Sequence, residues 1–279
     1  MLEVIDKGRG NAGPPLLFIH GAWHGAWCWD EHFVDFFADN GFHAVALSLR
    51  GHGYSPTDKP LSSCSLADYL DDVISVAKSL EAPPVVIGHS LGGLIVQKYL
   101  QTQRAPAGIL LASAPPKGLG AATIRLSRRF PLATITSALR GDTMMLLDTP
   151  ERCRESMFSP GTPEHLVTAY ARRFQQESKR ALFFDAIWKL PKPELVTTPM
   201  LVLGAEDDGS FTISEVLATA KAYNADCELF SHMGHDMMLE PGWQRVAARI
   251  AAWLTTRVGT PGVLAHPERG DAAEADRGR

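Results

Sequence analysis

Paired cysteines are missing from this chain. Its four (Cys28, Cys64, Cys153 and Cys227) are scattered, with no C-x-x-C pair among them. That spacing excludes a disulfide framework and a zinc ribbon, and reads as reduced thiols in a cytoplasmic protein. Long apolar runs are missing too. No stretch reaches the roughly 18 residues needed to span a bilayer, and no basic-then-apolar leader precedes the strand-like Met1-Leu2-Glu3-Val4, so no integral membrane segment is expected. Neither sign of charge dominates: 27 Lys and Arg face 31 Asp and Glu, a net charge of -4. This gives no electrostatic footprint for nucleic acid. There is no Walker loop, no G-x-G-x-x-G after a strand, no His pair at i, i+4 with an acid, and no internal repeat. The expectation is therefore no cofactor, no metal and a small-molecule partner.

What is present is an ordinary globular composition, 45% apolar and 21% charged over 279 residues. The pattern alternates strand-like and helix-like segments. Leu2 to Asp6 reads as an edge strand, and Leu16-Leu17-Phe18-Ile19-His20 as a buried parallel strand. A helix is expected at about Asp30 to Asn40, then a strand from His43 to Leu49. Ser65 caps a helix from Leu66 to Leu80, with Asp68 completing a capping box. His52, between two glycines, reads as structural. Pro84-Val85-Val86-Ile87 and Ala107 to Ser113 are further apolar strands.

From Pro115 to about Val196 the alternation stops and helices follow one another. Thr149-Pro150-Glu151 and Thr162-Pro163-Glu164 both read as helix starts, with a capping hydroxyl, proline at the first position and an acid in the first turn. Arg125, Arg128 and Arg129 read as a solvated helix face. Alternation resumes with the strand Met200 to Leu203, a helix from Ile213 to Tyr223, the strand Cys227 to Ser231, and a last helix with its stripe at Trp243 through Leu254. The expected organisation is an α/β core at 1–114 and 197–258, a helical lid at 115–196, and a disordered tail at 259–279, rich in Pro, Gly and charge.

The chemistry centres on Gly88-His89-Ser90-Leu91-Gly92, set between an apolar strand and an apolar helix. That context makes it a nucleophile-elbow candidate, with glycines where the turn is too tight for a β-carbon. The first amides of the following helix have no partner inside it, so an oxyanion is welcome at Leu91 N–H. The Gly-rich aromatic loop after the Leu16–His20 strand lies at the same carboxyl edge of the sheet and offers the Ala22 amide as a second oxyanion donor. Ser90 needs a base, and the base needs a carboxylate. Only two later strand-to-loop junctions are suitably polar, giving Asp207, with Asp208 as the alternative, and His235, preferred over His232 because Gly234 frees its loop. The order Ser90, Asp207, His235 is nucleophile, acid, histidine. Trp23 is the expected pocket wall, with His24 beside it. Met145, Phe184 and Trp188 of the lid and Met237 of the histidine loop complete the expected substrate contacts.

These motifs identify the chain as resembling the α/β-hydrolase fold superfamily: a mostly parallel twisted sheet flanked by helices, with a helical lid. Within it, His20-Gly21-Ala22-Trp23-His24-Gly25-Ala26-Trp27-Cys28-Trp29, Gly88 to Gly93 and His235-Asp236-Met237-Met238-Leu239 resemble the plant methylesterase and hydroxynitrile lyase group and related bacterial hydrolases. The expected function is a cofactor-independent serine hydrolase of a small to medium apolar ester, lactone or amide. Two other functions fit the same sequence: acyl transfer or lyase chemistry on the same triad, and a slow-turnover ligand receptor on the same fold.

Overall fold

The computed structural model describes residues 1–259; the expected tail, beyond Gly259, lies outside them. Seven strands form one sheet in the order β1-β3-β2-β4-β5-β6-β7. They are β1 (Val4–Lys7), β2 (Leu16–Ile19), β3 (Ala44–Leu47), β4 (Val85–His89), β5 (Gly108–Leu111), β6 (Met200–Ala205) and β7 (Asp226–Phe230). Only β1 runs antiparallel, against β3; every other pairing is parallel. Strands β2, β3, β4, β5 and β6 are buried along their whole length. Their near-unbroken Val, Ile and Leu content follows from helices covering both faces.

The pleat separates two cores. Phe18 points to one face, where Trp29, Phe33 and Phe37 surround its ring at 5.1, 6.4 and 5.6 Å. Leu17 and Ile19 point to the other, onto Tyr69 and Val73. Burying each such side chain contributes about 1.5–3 kcal/mol. The first face is covered by α1 (Trp27–Asp30), α2 (Phe33–Asp39) and the last helix, α11 (Trp243–Val258); the second by α3 (Leu66–Ser79) and α4 (Leu91–Tyr99). The single helix expected at Asp30–Asn40 is instead two, because His32 leaves helical geometry (φ -147°) and stacks its ring on Trp243 at 4.6 Å. Helix α3 carries the expected capping box, Ser65 with Asp68.

Between β5 and β6 the chain makes a helical excursion: α5 (Gly120–Arg129), α6 (Pro131–Arg140), α7 (Pro150–Met157), α8 (Glu164–Ala171), a wide π-type turn at Arg180–Asp185, and α9 (Ala186–Trp188). Thr149 caps α7 with Pro150 at its first position, as the sequence implies. The twin motif behaves differently. Thr162 does not cap α8, since its hydroxyl donates to Glu240 and Pro163 takes the cap position. Arg125 is only half-exposed and is engaged rather than free. It forks onto Glu215 at 3.0 and 2.7 Å and donates to Ser210 O, tying α5 to the start of α10 (Ile213–Tyr223). Arg128 and Arg129 are exposed, and Arg129 pairs with Glu155. Helix α11 (Trp243–Val258) closes the fold. No helix among the described residues is long and apolar enough to cross a membrane.

Candidate active site

Strand order reverses around β2: β3 lies on one side of it and β4 on the other. Loops leaving the carboxyl ends of β2 and β4 therefore face each other across a switch point, where open α/β sheets place ligands. Ile19 is in register with Gly88, which puts Gly21 and Ser90 side by side. The approach is so close that a β-carbon on Gly21 would lie 2.8 Å from Ser90 Cβ, and one on Gly92 would lie 2.4 Å from the Ile19 and His20 carbonyls.

Ser90 occupies φ 51°, ψ -119°, a strained conformation for a residue with a β-carbon. Its amide donates to Leu111 O, and its carbonyl accepts from Gly93 N and Ala114 N, so the surrounding chain holds the strain in place. Ser90 and Leu91 line the same cavity as Ala22 and Trp23. Leu91 N–H is the first amide of α4, and neither it nor Ala22 N–H finds an acceptor among the described residues. The Ala22 amide is also aimed. His20 Nδ1 donates to Gly21 O at 2.8 Å, while its Nε2 accepts from Leu49 N at 3.0 Å. In a trans peptide, holding that carbonyl toward His20 turns the Ala22 N–H the opposite way. Burial lowers the His20 pKa well below the usual histidine value, consistent with the neutral tautomer this pairing needs.

His235 follows β7 and faces the same cavity. Its Nδ1 lies 3.0 and 2.9 Å from the two oxygens of Asp208, not Asp207. The strand explains the correction. β6 continues to Ala205, and Glu206 N and Asp207 N extend the pairing by donating to Phe230 O and Met233 O. Asp207 is still directed outward and exposed; the chain turns inward at Asp208. There Asp208 Oδ1 also accepts from Ser210 N and Phe211 N at 2.7 and 2.9 Å, which fixes the carboxylate. Burial alone would lower the His235 pKa, but the charge and hydrogen bond of Asp208, helped by Asp236, outweigh it and raise the value above that of a free histidine. His232 is exposed. Gly234 serves close packing rather than loop freedom: a β-carbon there would lie 2.4 Å from Ser159 N.

The cavity holds about 270 Å³. Of the expected substrate contacts, only Trp23 lines it. His24 lies behind the site, fully buried. Met237 is buried in the core beneath the histidine loop. Met145 is set aside because the short turn Thr143–Leu146 delivers Leu146 and Leu147 to the wall instead. Phe184 and Trp188 are 63% and 79% exposed; the wide turn at Arg180–Asp185 presents Phe183 inward in their place. Leu126, Met157 and Phe211 complete the apolar wall. Sequence spacing could not find these residues, since most come from the excursion, whose fold has no simple period.

One group of metal-ligating side-chain types comes together among the described residues: His24, His89 and Asp236, all buried, with ligand-type atoms within 4.8 Å of one another. His24 Nε2 lies 3.1 Å from Asp236 Oδ2, and His89 Nε2 lies 3.1 Å from the His235 carbonyl.

Comparisons with known proteins agree with this architecture. The chain is similar to phospholipase YtpA of Bacillus subtilis (strain 168), 27% identical over 205 residues, 69% of this chain and 75% of that one. It is similar to methylesterase 18 of Arabidopsis thaliana, 37% identical over 80 residues, 28% of this chain and 30% of the relative. Among solved structures, a thermophilic esterase from Thermogutta terrifontis superposes with a TM-score of 0.72 at 18% identity, covering 92% of this chain and 94% of the other. MenH from S. aureus gives 0.71 at 17%, covering 92% and 99%. At these identities the structural likeness speaks for the fold alone. A family profile, "Alpha/beta hydrolase family", matches residues 16–249, which span every strand from β2 to β7 and the first turns of α11. With the sheet order, the strained serine turn and that match in agreement, the chain belongs to the α/β-hydrolase family.

Proposed function

We propose that this protein is a serine hydrolase that cleaves a small to medium apolar carboxylic ester through an acyl-enzyme on Ser90. The observation that carries this reading is a single cavity shared by a strained, elbow-borne Ser90 and by His235, whose far ring nitrogen is held by Asp208. His235 Nε2 takes the Ser90 proton as Oγ attacks the substrate carbonyl, and Asp208 fixes the tautomer and stabilises the imidazolium. The Ala22 and Leu91 amides receive the oxyanion, a contribution of about 3–4 kcal/mol per donor in comparable sites. The tetrahedral intermediate collapses by breaking the bond to the leaving alcohol, which departs with the proton from His235. Water, deprotonated by His235, then attacks the acyl carbon, and its collapse returns the proton to Ser90 and releases the acid.

The apolar wall and the volume of about 270 Å³ favour a short to medium acyl chain. The excursion at 115–196 acts as a cap: α5, α7 and the turn at Arg180–Asp185 supply much of that wall. The ester activities carried in the names of the relatives above point the same way. The test is hydrolysis of a p-nitrophenyl ester series from acetate to long chains, wild type against Ser90→Ala. The reading requires activity that peaks at short or medium chains and is lost in Ser90→Ala. Turnover that survives the substitution overturns it.

A further inference from the structure

No side chain of the buried polar cluster behind the site takes or gives a proton in this mechanism, yet the cluster touches both catalytic segments. His24 Nδ1 lies 2.7 Å from Ala22 O, and Nε2 lies 3.1 Å from Asp236 Oδ2, a residue 212 positions away. The Ala22 carbonyl can only accept, so that contact needs the ring proton on Nδ1, with Nε2 facing the carboxylate. The ring itself cannot shift. It is packed against Phe174, Trp27 and His89 at 4.7, 5.5 and 5.7 Å, and both side chains of the pair are fully buried.

Each end of this bridge is anchored on a segment that the reaction depends on. Ala22 offers the oxyanion amide, and the next residue, Trp23, is held at φ 67°, a left-handed conformation rarely adopted by a bulky side chain. Such a turn persists only when its surroundings over-determine it. Here Gln175 N holds the Trp23 carbonyl at 2.9 Å and His24 holds the Ala22 carbonyl. Asp236 is the residue after His235; its amide donates to Met157 O, and its carbonyl accepts from Leu239 N and Glu240 N.

We propose that His24 and Asp236 are positioning residues: their buried pair fastens the strained oxyanion turn to the segment bearing His235, so that acceptor site and base keep one relative geometry. The proposal rests on the serine-hydrolase reading above. It assigns the working contact to the Nδ1–H···Ala22 O bond, with Asp236 holding the ring that donates it.

Two substitutions separate the ring's two contacts. His24→Asn places an amide nitrogen near the Nδ1 position, where it can still donate to Ala22 O. His24→Gln reaches toward Asp236 and abandons the carbonyl. Each is measured for kcat, KM, rate of Ser90 labelling by a fluorophosphonate, and melting temperature. His24→Gln should lose about 10- to 100-fold in both kcat and labelling rate, with KM within about threefold, because a misplaced donor weakens only the transition state. His24→Asn should recover most of that loss at a comparable melting temperature. Asp236→Ala combined with His24→Gln should be little worse than either alone, as expected for residues acting as one unit.

Three results would overturn the proposal: equal labelling of wild type and His24→Gln, equal losses in the Asn and Gln variants, or stoichiometric zinc in the purified protein that disappears in His24→Asn, which would make these groups ligands. Failure of the underlying reading looks different. In that case wild-type Ser90 is not labelled at all and ester turnover survives Ser90→Ala.

Discussion

Asp208 presents both carboxylate oxygens to His235 Nδ1, at 3.0 and 2.9 Å, while its own Oδ1 is held by two backbone amides of the turn that follows. The neighbouring Asp207 makes no such contact; its amide continues the pairing of the sheet and its side chain is exposed. Two adjacent aspartates thus have separable roles.

Replacing Asp208 by Asn should lower kcat by about 10³–10⁴-fold, because an amide facing Nδ1 favours the wrong histidine tautomer. Asp207→Asn should stay within about twofold of wild type, as an exposed substitution away from the site. Steady-state kinetics on p-nitrophenyl butyrate decide between them. Equal losses at the two positions would contradict the geometry.

The pH profile follows from the sign of the His235 shift. Its pKa is raised in the folded protein, against the effect of burial, by Asp208 and Asp236. The base must be neutral to work, so activity falls as pH drops through a value above about 6.5, the ordinary histidine figure. In Asp208→Asn the largest raising influence is removed, and the residual activity should persist to lower pH. A kcat/KM profile from pH 5 to 9 measures both limbs; an acid limb centred below that of a free histidine would count against the assignment.

Gly92 illustrates a steric requirement that can be tested without activity. A methyl group there would lie 2.4 Å from two backbone carbonyls of the β2 exit. Gly92→Ala should cost at least about 3 kcal/mol, or abolish folding, since neither backbone can retreat. Gly120→Ala is the control: its new carbon meets nothing nearer than 4.0 Å, and the change should be within about 1 kcal/mol of neutral. Thermal denaturation of the two variants checks the contrast.

Glu240 is a buried carboxylate that accepts from Ser159 N, Ser159 Oγ, Thr162 Oγ1 and Gly234 N at 2.5–3.1 Å. It joins the helical excursion between β5 and β6 to the loop that carries His235. Glu240→Ala leaves these buried donors without partners and should destabilise by about 3–5 kcal/mol. Limited proteolysis should then cut first within 158–162, and kcat should fall together with stability.

The histories of individual residues show where sequence reasoning reached its limit. Ser65 with Asp68, and Thr149 with Pro150, formed the helix starts their spacing implied, because capping is settled by atoms within four residues of one another. Thr162 and Pro163 carried the same signature and did not cap, because Glu240, far along the chain, offered the threonine hydroxyl a better acceptor. His24 looked like a substrate contact from its place in an aromatic loop, yet a strained Trp23 beside it turned the chain and sent the ring inward to Asp236. Phe183 and Phe184 are indistinguishable by composition; the π-type turn alone decides which one lines the cavity.

By itself the sequence determined the parallel sheet, the sharp turn at Ser90 and the histidine at position 235. Each is written in local terms: an unbroken apolar run, glycines that admit a backbone contact, a polar junction after a strand. Only the tertiary structure decided that Asp208 rather than Asp207 meets that histidine, which side chains of the helical excursion reach the cavity, and that His24 and Asp236 are joined behind it. The reason is physical. A two-residue extension of β6 or one wide turn in the helical excursion costs almost nothing locally, but it rotates every following side chain to a different neighbour. Those neighbours are set by packing between segments as much as 212 positions apart, beyond the reach of any local pattern.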